Sequence, residues 1–485
     1  MKLKGLKYIV TTMLILSISL ASVIPAYAVS TVPTEERANE AEARKLIKVE
    51  SNEISGWPQG PIIGAESAIL MDVDTGTILY EKNVHEQLYP ASTTKLLTAL
   101  LTIENANMND VVTFSRDAVF NIERNSSHIG IDVGEQLTVE QCLYGLLLGS
   151  ANEVAYALAE HVGGNLDTFV NMMNERAAKI GCKDTHFANA NGLPTPEHYT
   201  SAYDLALIAR DCYRNETLAT ISGTSRYTIP PTNIQPESRP LDNHHLMLNG
   251  FKYAYDGIVG GKTGYTVEAR QTLVTCAQRD GMRLVCVILK EESPNQFLDT
   301  AQLFDYGFNN FQKKNIYENE KKYTLNSATF FHTNLDIMGS SKPILSISQS
   351  GDVTFPKTME FDELDVEITY SDGQQDYLAT LDYSVGGQPV GSAVINYADA
   401  HAKTFEFANI ITDSKVTSPQ AVEKDHKIIF VNVKSVIIVC LIVLGVVLLI
   451  LIITATIKKY LDSNYRKKRI TKKRYKKRTD KYFID

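Results

Sequence analysis

Ser92 and Lys95 are the first residues whose types and spacing could do chemistry. They lie in Tyr89-Pro-Ala-Ser-Thr-Thr-Lys-Leu-Leu-Thr-Ala-Leu100, where a turn runs into an apolar helix. Residues three apart on a helix share a face, so the hydroxyl and the amine can touch. Burial disfavours a charged lysine, and the positive end of a helix dipole does the same. A lysine brought toward neutrality can take the serine proton and make the serine a nucleophile. A solvated lysine on a helix surface is the plain alternative. This is the single S-x-x-K match in the chain.

Two further groups follow. Ser150-Ala-Asn152 comes directly after an apolar helix. Ser150 with Glu153 reads either as a capping box for the next helix or as a cleft edge, with Ser150 relaying a proton and Asn152 gripping a substrate amide. Lys262-Thr-Gly264 sits within Gly260-Gly-Lys-Thr-Gly-Tyr-Thr266. A strand this rich in glycine packs poorly unless another backbone must come close, as an extended peptide substrate would; a plain glycine-rich turn remains the other reading. Lys262 and Thr263 would then hold a substrate carboxylate, and Lys262 would depress the pKa of Lys95 by like charge. No phosphate-binding G-x-x-x-x-G-K-[ST] ends at Thr263.

The elements that must carry these residues are legible from pattern. Ser67 to Tyr80 reads as two strands around an Asp74-Thr75-Gly76 turn. A helix starts near Ser92, with leucines at helical spacing through Leu101. Further helices are expected over Thr138–Leu148, with Gly149 as the stop, and over Val154–Val162, Asp167–Ile180 and Tyr203–Arg210. Gly223 to Pro240 reads as an exposed excursion. Gln271–Ala277 and Arg283–Leu289 flank Arg279-Asp-Gly-Met282, a strong hairpin signal, and a helix over Gln296–Asn310 closes the unit. This order fits one sheet built from both ends of the domain and covered by helices. Residues 320–410 read instead as a small all-β domain: Leu364 to Tyr370 alternates at period two, with turn signals at Ser371-Asp-Gly373 and Gly386-Gly387.

The ends of the chain bound its compartment. Residues 1–28 have a basic start, an apolar run and an Ala26-Tyr-Ala28 cleavage pattern, and read as a signal peptide. A lead-in segment follows over 29–58. Residues 411–433 read as a linker, and 436–457 as an uncharged apolar span of about 33 Å, long enough for a bilayer. The tail, 458–485, holds 13 Lys/Arg against three Asp. The positive-inside rule puts it in the cytoplasm, where anionic headgroups are its expected contact. The chain between signal peptide and tail carries a net −21 within an overall −8, which argues against nucleic acid as a partner. Five cysteines lie outside the span, Cys142, Cys182, Cys212, Cys276 and Cys286, and an odd number over so long a stretch is not a disulfide framework. No C-x-x-C, H-E-x-x-H or G-x-S-x-G occurs, so neither a zinc site nor a nucleophile elbow has motif support. The histidines, His161, His186, His198, His244 and His245, are expected to be structural or superficial.

Taken in order, S-x-x-K, S-x-N and K-T-G resemble the trio of penicillin-recognising serine enzymes. From about Ala65 to Phe311 the chain resembles the low-molecular-mass penicillin-binding proteins that are D-alanyl-D-alanine carboxypeptidases. Asn191-Gly-Leu193, His198 to Leu205, Asp256-Gly257 and Leu303 to Phe308 add to the likeness. The resemblance implies an α/β fold with a β-lactamase/transpeptidase-like sheet covered by helices, a catalytic domain over 59–315, then the small all-β domain and one transmembrane helix. It implies Ser92 as nucleophile, Lys95 as base, Ser150 as proton relay, and Asn152, Lys262, Thr263 and Gly264 as substrate contacts. The backbone N–H groups of Ser92 and Tyr265 would form the oxyanion hole. Stem peptides ending in D-Ala-D-Ala would be substrates and β-lactams inhibitors; no cofactor and no metal is implied. Three positions depart from the family pattern: Glu153 in place of aspartate, Arg270 in place of glycine, and Gln296 in place of an arginine that helps bind carboxylate. Arg270 is a candidate to compensate for Gln296. The rival readings are a β-lactamase, for which no E-x-x-L-N deacylating motif occurs between Ser150 and Lys262, and a membrane-anchored penicillin-binding protein with little trimming activity.

Overall fold

The computed structural model describes residues 35–123, 125–321, 345–371 and 375–397. The expected signal peptide, linker, membrane span and basic tail lie outside the described residues. Among those described, no helix is long and apolar enough to cross a membrane.

A five-stranded antiparallel sheet organises the larger part. Its strands are β1 (Ser67–Asp72), β2 (Ile78–Lys82), β3 (Ile258–Thr266), β4 (Arg270–Arg279) and β5 (Met282–Glu291), in the order β2-β1-β5-β4-β3. The two N-terminal strands thus join the three C-terminal ones through the β1–β5 pairing. The β4–β5 hairpin turns at Asp280-Gly281, both with positive φ, and Arg279 pairs with Met282; this is the tight turn that the dipeptide favours.

β1, β4 and β5 are buried on both faces, and alternation divides their side chains between two cores. Ile69, Met71, Val274, Cys276, Val285, Val287 and Leu289 face the helical layer. That layer is formed by α1 (Lys95–Asn105), α2 (Val139–Leu147), α3 (Asn152–Gly163), α4 (Leu166–Ile180) and α5 (Ala202–Tyr213). Ala68, Leu70, Leu273, Leu284, Cys286 and Ile288 face the other side, where α6 (Asn295–Asn310) packs Phe297, Leu303, Phe304 and Phe308. Each expected helix is present within a few residues of its expected bounds. The excursion at 223–240 carries a short strand pair, Arg226–Ile229 with Arg239–Asp242.

Beyond α6 lies a six-stranded antiparallel sheet made of β6 (Phe311–Asn315), β7 (Leu345–Ile347), β8 (Asp352–Pro356), β9 (Asp365–Tyr370), β10 (Ala379–Val385) and β11 (Gln388–Tyr397). Its first strand, β6, falls inside the range expected for the catalytic domain, because Phe311 to Asn315 pair with Pro356 to Asp352. Val353, Phe355 and Leu381 share the second core with α6, and Thr77 Oγ1 donates to Val390 O at 2.8 Å. The β-rich part is therefore packed against the five-stranded sheet. The five cysteines are free thiols.

Candidate active site

Ser92 lies in a 3₁₀ turn, Ala91–Thr94, that runs straight into α1 with Lys95 as its first residue. The turn is held from several sides. Thr272 Oγ1 on β4 donates to Pro90 O at 2.9 Å and Thr93 Oγ1 donates to the same oxygen at 2.7 Å. Ala91 has φ +50°, a left-handed conformation that costs a non-glycine residue about 1 kcal/mol or more and is seen at functional sites. Gly192 packs on it: a Cβ there would lie 1.9 Å from Ala91 O.

Lys95 is completely buried. Its Nζ lies 2.8 Å from Ser92 Oγ, 2.7 Å from Asn152 Oδ1 and 2.6 Å from Asn191 O. Burial, and secondarily the charge of Lys262, holds its pKa well below the usual lysine range. The two carbonyl oxygens can only accept. In the neutral amine they take both N–H groups and leave the lone pair directed at Ser92, whose hydroxyl then donates to Nζ. Once the proton has moved, the ammonium donates to all three oxygens. The cage therefore serves both protonation states of a general base.

Ser150 and Asn152 come together with this pair. Asn152 opens α3 and Ser150 precedes it with φ +58°. The capping-box reading is corrected here: the N-cap is Ala151, no side chain caps the helix, and Glu153 Oε1 instead accepts from Ile129 N at 2.7 Å. The left-handed backbone at Ser150 turns its side chain away from the helix end and onto a cleft of about 420 Å³. Ser92, Ser150, Asn152, Thr263, Gly264, Tyr265, Gln271 and Gln296 are among the residues lining it.

The opposite wall is β3, the last strand of the sheet. One edge of its backbone has no strand partner among the described residues, so an extended peptide can pair with it. Gly264 is where β3 approaches the serine turn. A Cβ there would meet Thr272 Oγ1 at 2.3 Å and Ser92 N at 2.9 Å, so only glycine fits. Lys262 is buried beside His245, whose ring would lie 2.2 Å from a Cβ on Gly261. Burial pushes the Lys262 pKa down to about 7, and no carboxylate pairs with it among the described residues. A buried, unpaired lysine is costly, and such perturbed groups mark functional sites.

Among the described residues no histidine hydrogen-bonds Ser92. His198 bonds Thr94 Oγ1 at 2.9 Å and His245 bonds Thr275 Oγ1 at 2.8 Å, and burial lowers both to about 3. They are neutral structural groups. His244 lines the cleft, and burial lowers it to about 4. Arg270, the candidate to compensate for Gln296, is not among the residues lining the cleft. Its guanidinium is engaged by Glu292 and by the Tyr265 hydroxyl, while Gln296 Nε2 donates to Gln271 Oε1 at 3.2 Å. Sequence reasoning gave no role to Asn191, whose contribution is a backbone carbonyl; the Asn-Gly turn signal marked the loop but not that contact.

This arrangement suits a serine nucleophile with a lysine base. A model of the D-alanyl-D-alanine carboxypeptidase family matches residues 56–293. The chain is 33% identical over 260 residues to the D-alanyl-D-alanine carboxypeptidase DacF of Bacillus subtilis, covering 52% of this chain and 64% of that protein. It is 34% identical over 257 residues to DacB2 of Mycobacterium tuberculosis, covering 52% of this chain and 84% of that protein. A crystal structure of the D-alanyl-D-alanine carboxypeptidase DacD from Francisella tularensis shares the fold over 70% of this chain and 94% of its own, with a TM-score of 0.54 at 23% identity. The chain belongs to the D-alanyl-D-alanine carboxypeptidase family, a family of serine hydrolases.

Proposed function

We propose that this chain is a serine D,D-carboxypeptidase that removes the terminal D-alanine from peptidoglycan stem peptides. The observation that carries the reading is Lys95, fully buried and held between Asn152 Oδ1 and Asn191 O with its third position on Ser92 Oγ. Ser92 Oγ attacks the carbonyl between the two D-alanines as its proton passes to Lys95. The developing oxyanion is held by the backbone N–H groups of Ser92 and Tyr265, an effect worth about 3 kcal/mol per donor in related chemistry. Lys95, through Ser150, returns the proton to the leaving amine, and free D-alanine departs. Water then attacks the ester on Ser92, regenerating the serine and the shortened peptide acid. Lys262 and Thr263 hold the terminal carboxylate. Asn152 Oδ1 accepts from Lys95 Nζ, so its amide N–H₂ remains to donate to a substrate carbonyl. A β-lactam, opened at its amide by the same serine, leaves an ester that persists.

The pH dependence has a definite sign. Lys95 works only when neutral, so kcat/KM should rise as pH climbs through its lowered pKa. Lys262 binds carboxylate only when charged, so kcat/KM should fall as pH climbs through about 7. The expected profile is a bell for a substrate with a free terminal carboxylate. The alkaline limb should vanish for a depsipeptide analogue whose terminal carboxyl is amidated. A shared alkaline limb would remove Lys262 from carboxylate binding.

We further propose a single-pass anchor, with residues 436–457 across the membrane, the catalytic domain outside the cell and the basic tail against anionic lipid. Charge and hydropathy of the sequence support this topology. Full-length protein should resist alkaline carbonate extraction and yield to detergent. Release by carbonate alone would contradict the anchor.

A further inference from the structure

The lead-in segment reaches a residue next to the active-site cleft: Glu292 precedes Ser293, which lines it. The helix Glu35–Arg44 lies upstream of residues 56–293, the part matched to the family, yet its last residue is buried. Arg44 Nη2 donates to Glu292 Oε1 at 3.1 Å. Glu292, at the end of β5, also receives Arg270: Arg270 Nε donates to Oε1 at 3.1 Å and Nη2 donates to Oε2. One carboxylate thus joins two guanidinium groups, and all three side chains are at most 15% exposed.

Arg270 in turn contacts the last strand of the sheet. It closes the turn between β3 and β4, opposite Thr266, and holds a left-handed backbone with φ +54°. A non-glycine residue keeps that conformation only where its surroundings impose it. Its Nη1 lies 3.4 Å from Tyr265 Oη and its guanidinium 5.7 Å from the centre of the Tyr265 ring. Tyr265 lines the cleft next to Gly264. The lead-in is itself fastened independently of Glu292. Trp57 Nε1 donates to Leu79 O at 2.8 Å, and Glu50 Oε2 accepts from Asn83 N at 3.0 Å.

We propose that the lead-in segment is a working part of the catalytic unit. Through Arg44 it fixes Glu292 and Arg270, and so sets the position of Tyr265 and the β3–β4 turn at the carboxylate end of the cleft. Arg44, Glu292 and Arg270 are positioning residues: none is in the cleft lining, and each acts through the next. The inference rests on the carboxypeptidase reading for its substrate, while penicillin acylation of Ser92 reads it separately.

The test is a double-mutant cycle in the full-length chain, measuring kcat/KM for D-alanine release and the second-order rate of benzylpenicillin acylation, with melting temperature as the check on folding. Arg44→Ala should lower both rates about tenfold in a chain that still melts cooperatively. Arg270→Gly accepts the left-handed backbone but removes the contact with Tyr265, and should lower both rates at least as much as Arg44→Ala. Arg44→Ala placed in the Arg270→Gly background should cause no further loss. Arg44→Lys, which keeps a cation facing Glu292, should recover most of the activity and serves the same test if Arg44→Ala fails to fold. Rates within twofold of wild type for folded Arg44→Ala would overturn the inference. So would an equal loss from Arg44→Ala in both backgrounds, since Arg44 would then act by another route. Were the wild type acylated by penicillin yet silent on the peptide, the carboxypeptidase reading would fall, and the acylation rates would still decide the role of Arg44.

Discussion

A Ser92→Ala chain is expected to release no D-alanine and to carry no penicillin after denaturation, a loss of more than about 10⁴-fold in kcat by comparison with other serine nucleophiles. Folding should survive. The substitution removes one oxygen whose recorded side-chain partner is Lys95 Nζ, and it leaves the turn pinned by Thr272 and Thr93 at Pro90. Lys95 keeps its two carbonyl partners. Non-covalent binding of the D,D-peptide should therefore persist, and equilibrium dialysis would detect it. Residual covalent penicillin on the mutant, mapped to a neighbouring serine such as Ser150, would move the nucleophile elsewhere in the cleft.

Lys95→Arg is the second large effect, with an expected loss of about 10³-fold or more in the acylation rate, within the range that general-base removal gives. The argument is one of protonation. A guanidinium keeps its proton at any working pH, so it can donate to Asn152 Oδ1 and Asn191 O but cannot accept from Ser92. Lys95→Ala should be equally slow for a different reason: it leaves those two buried carbonyl oxygens without a donor, which costs roughly 1–3 kcal/mol each and should lower the melting temperature as well. The comparison separates base chemistry from packing. Were Lys95→Arg to retain a tenth of wild-type acylation, Lys95 would act as a fixed charge and not as a base.

Much of this molecule is legible in its sequence because its elements obey local rules. The β4–β5 hairpin follows from Asp280-Gly281 and the apolar runs on each side. The helices of the layer over the sheet follow from leucine and alanine spacing, and α2 even has the Thr138–Gln141 capping box that starts it. What escaped was set by tertiary contact. The Ser150–Glu153 pair fits the capping pattern, but its backbone is left-handed and Glu153 is drawn to Ile129 N. Phe311 to Asn315 directly follow α6 in the chain yet pair with the β-rich sheet. Asn191 acts through a carbonyl that every residue has. Arg270 fits a role in binding carboxylate by its charge alone, and only the folded chain reveals that Glu292 already holds it.

The most direct test of the central claim is D-alanine release by the full-length wild-type chain from diacyl-L-Lys-D-Ala-D-Ala, run beside the same peptide ending in L-alanine. A carboxypeptidase built as described should release D-alanine catalytically from the first peptide and nothing from the second, and prior treatment with benzylpenicillin should stop it. A chain that takes up penicillin stoichiometrically at Ser92 and releases no D-alanine would contradict the claim, and would leave a penicillin-binding protein that does not trim.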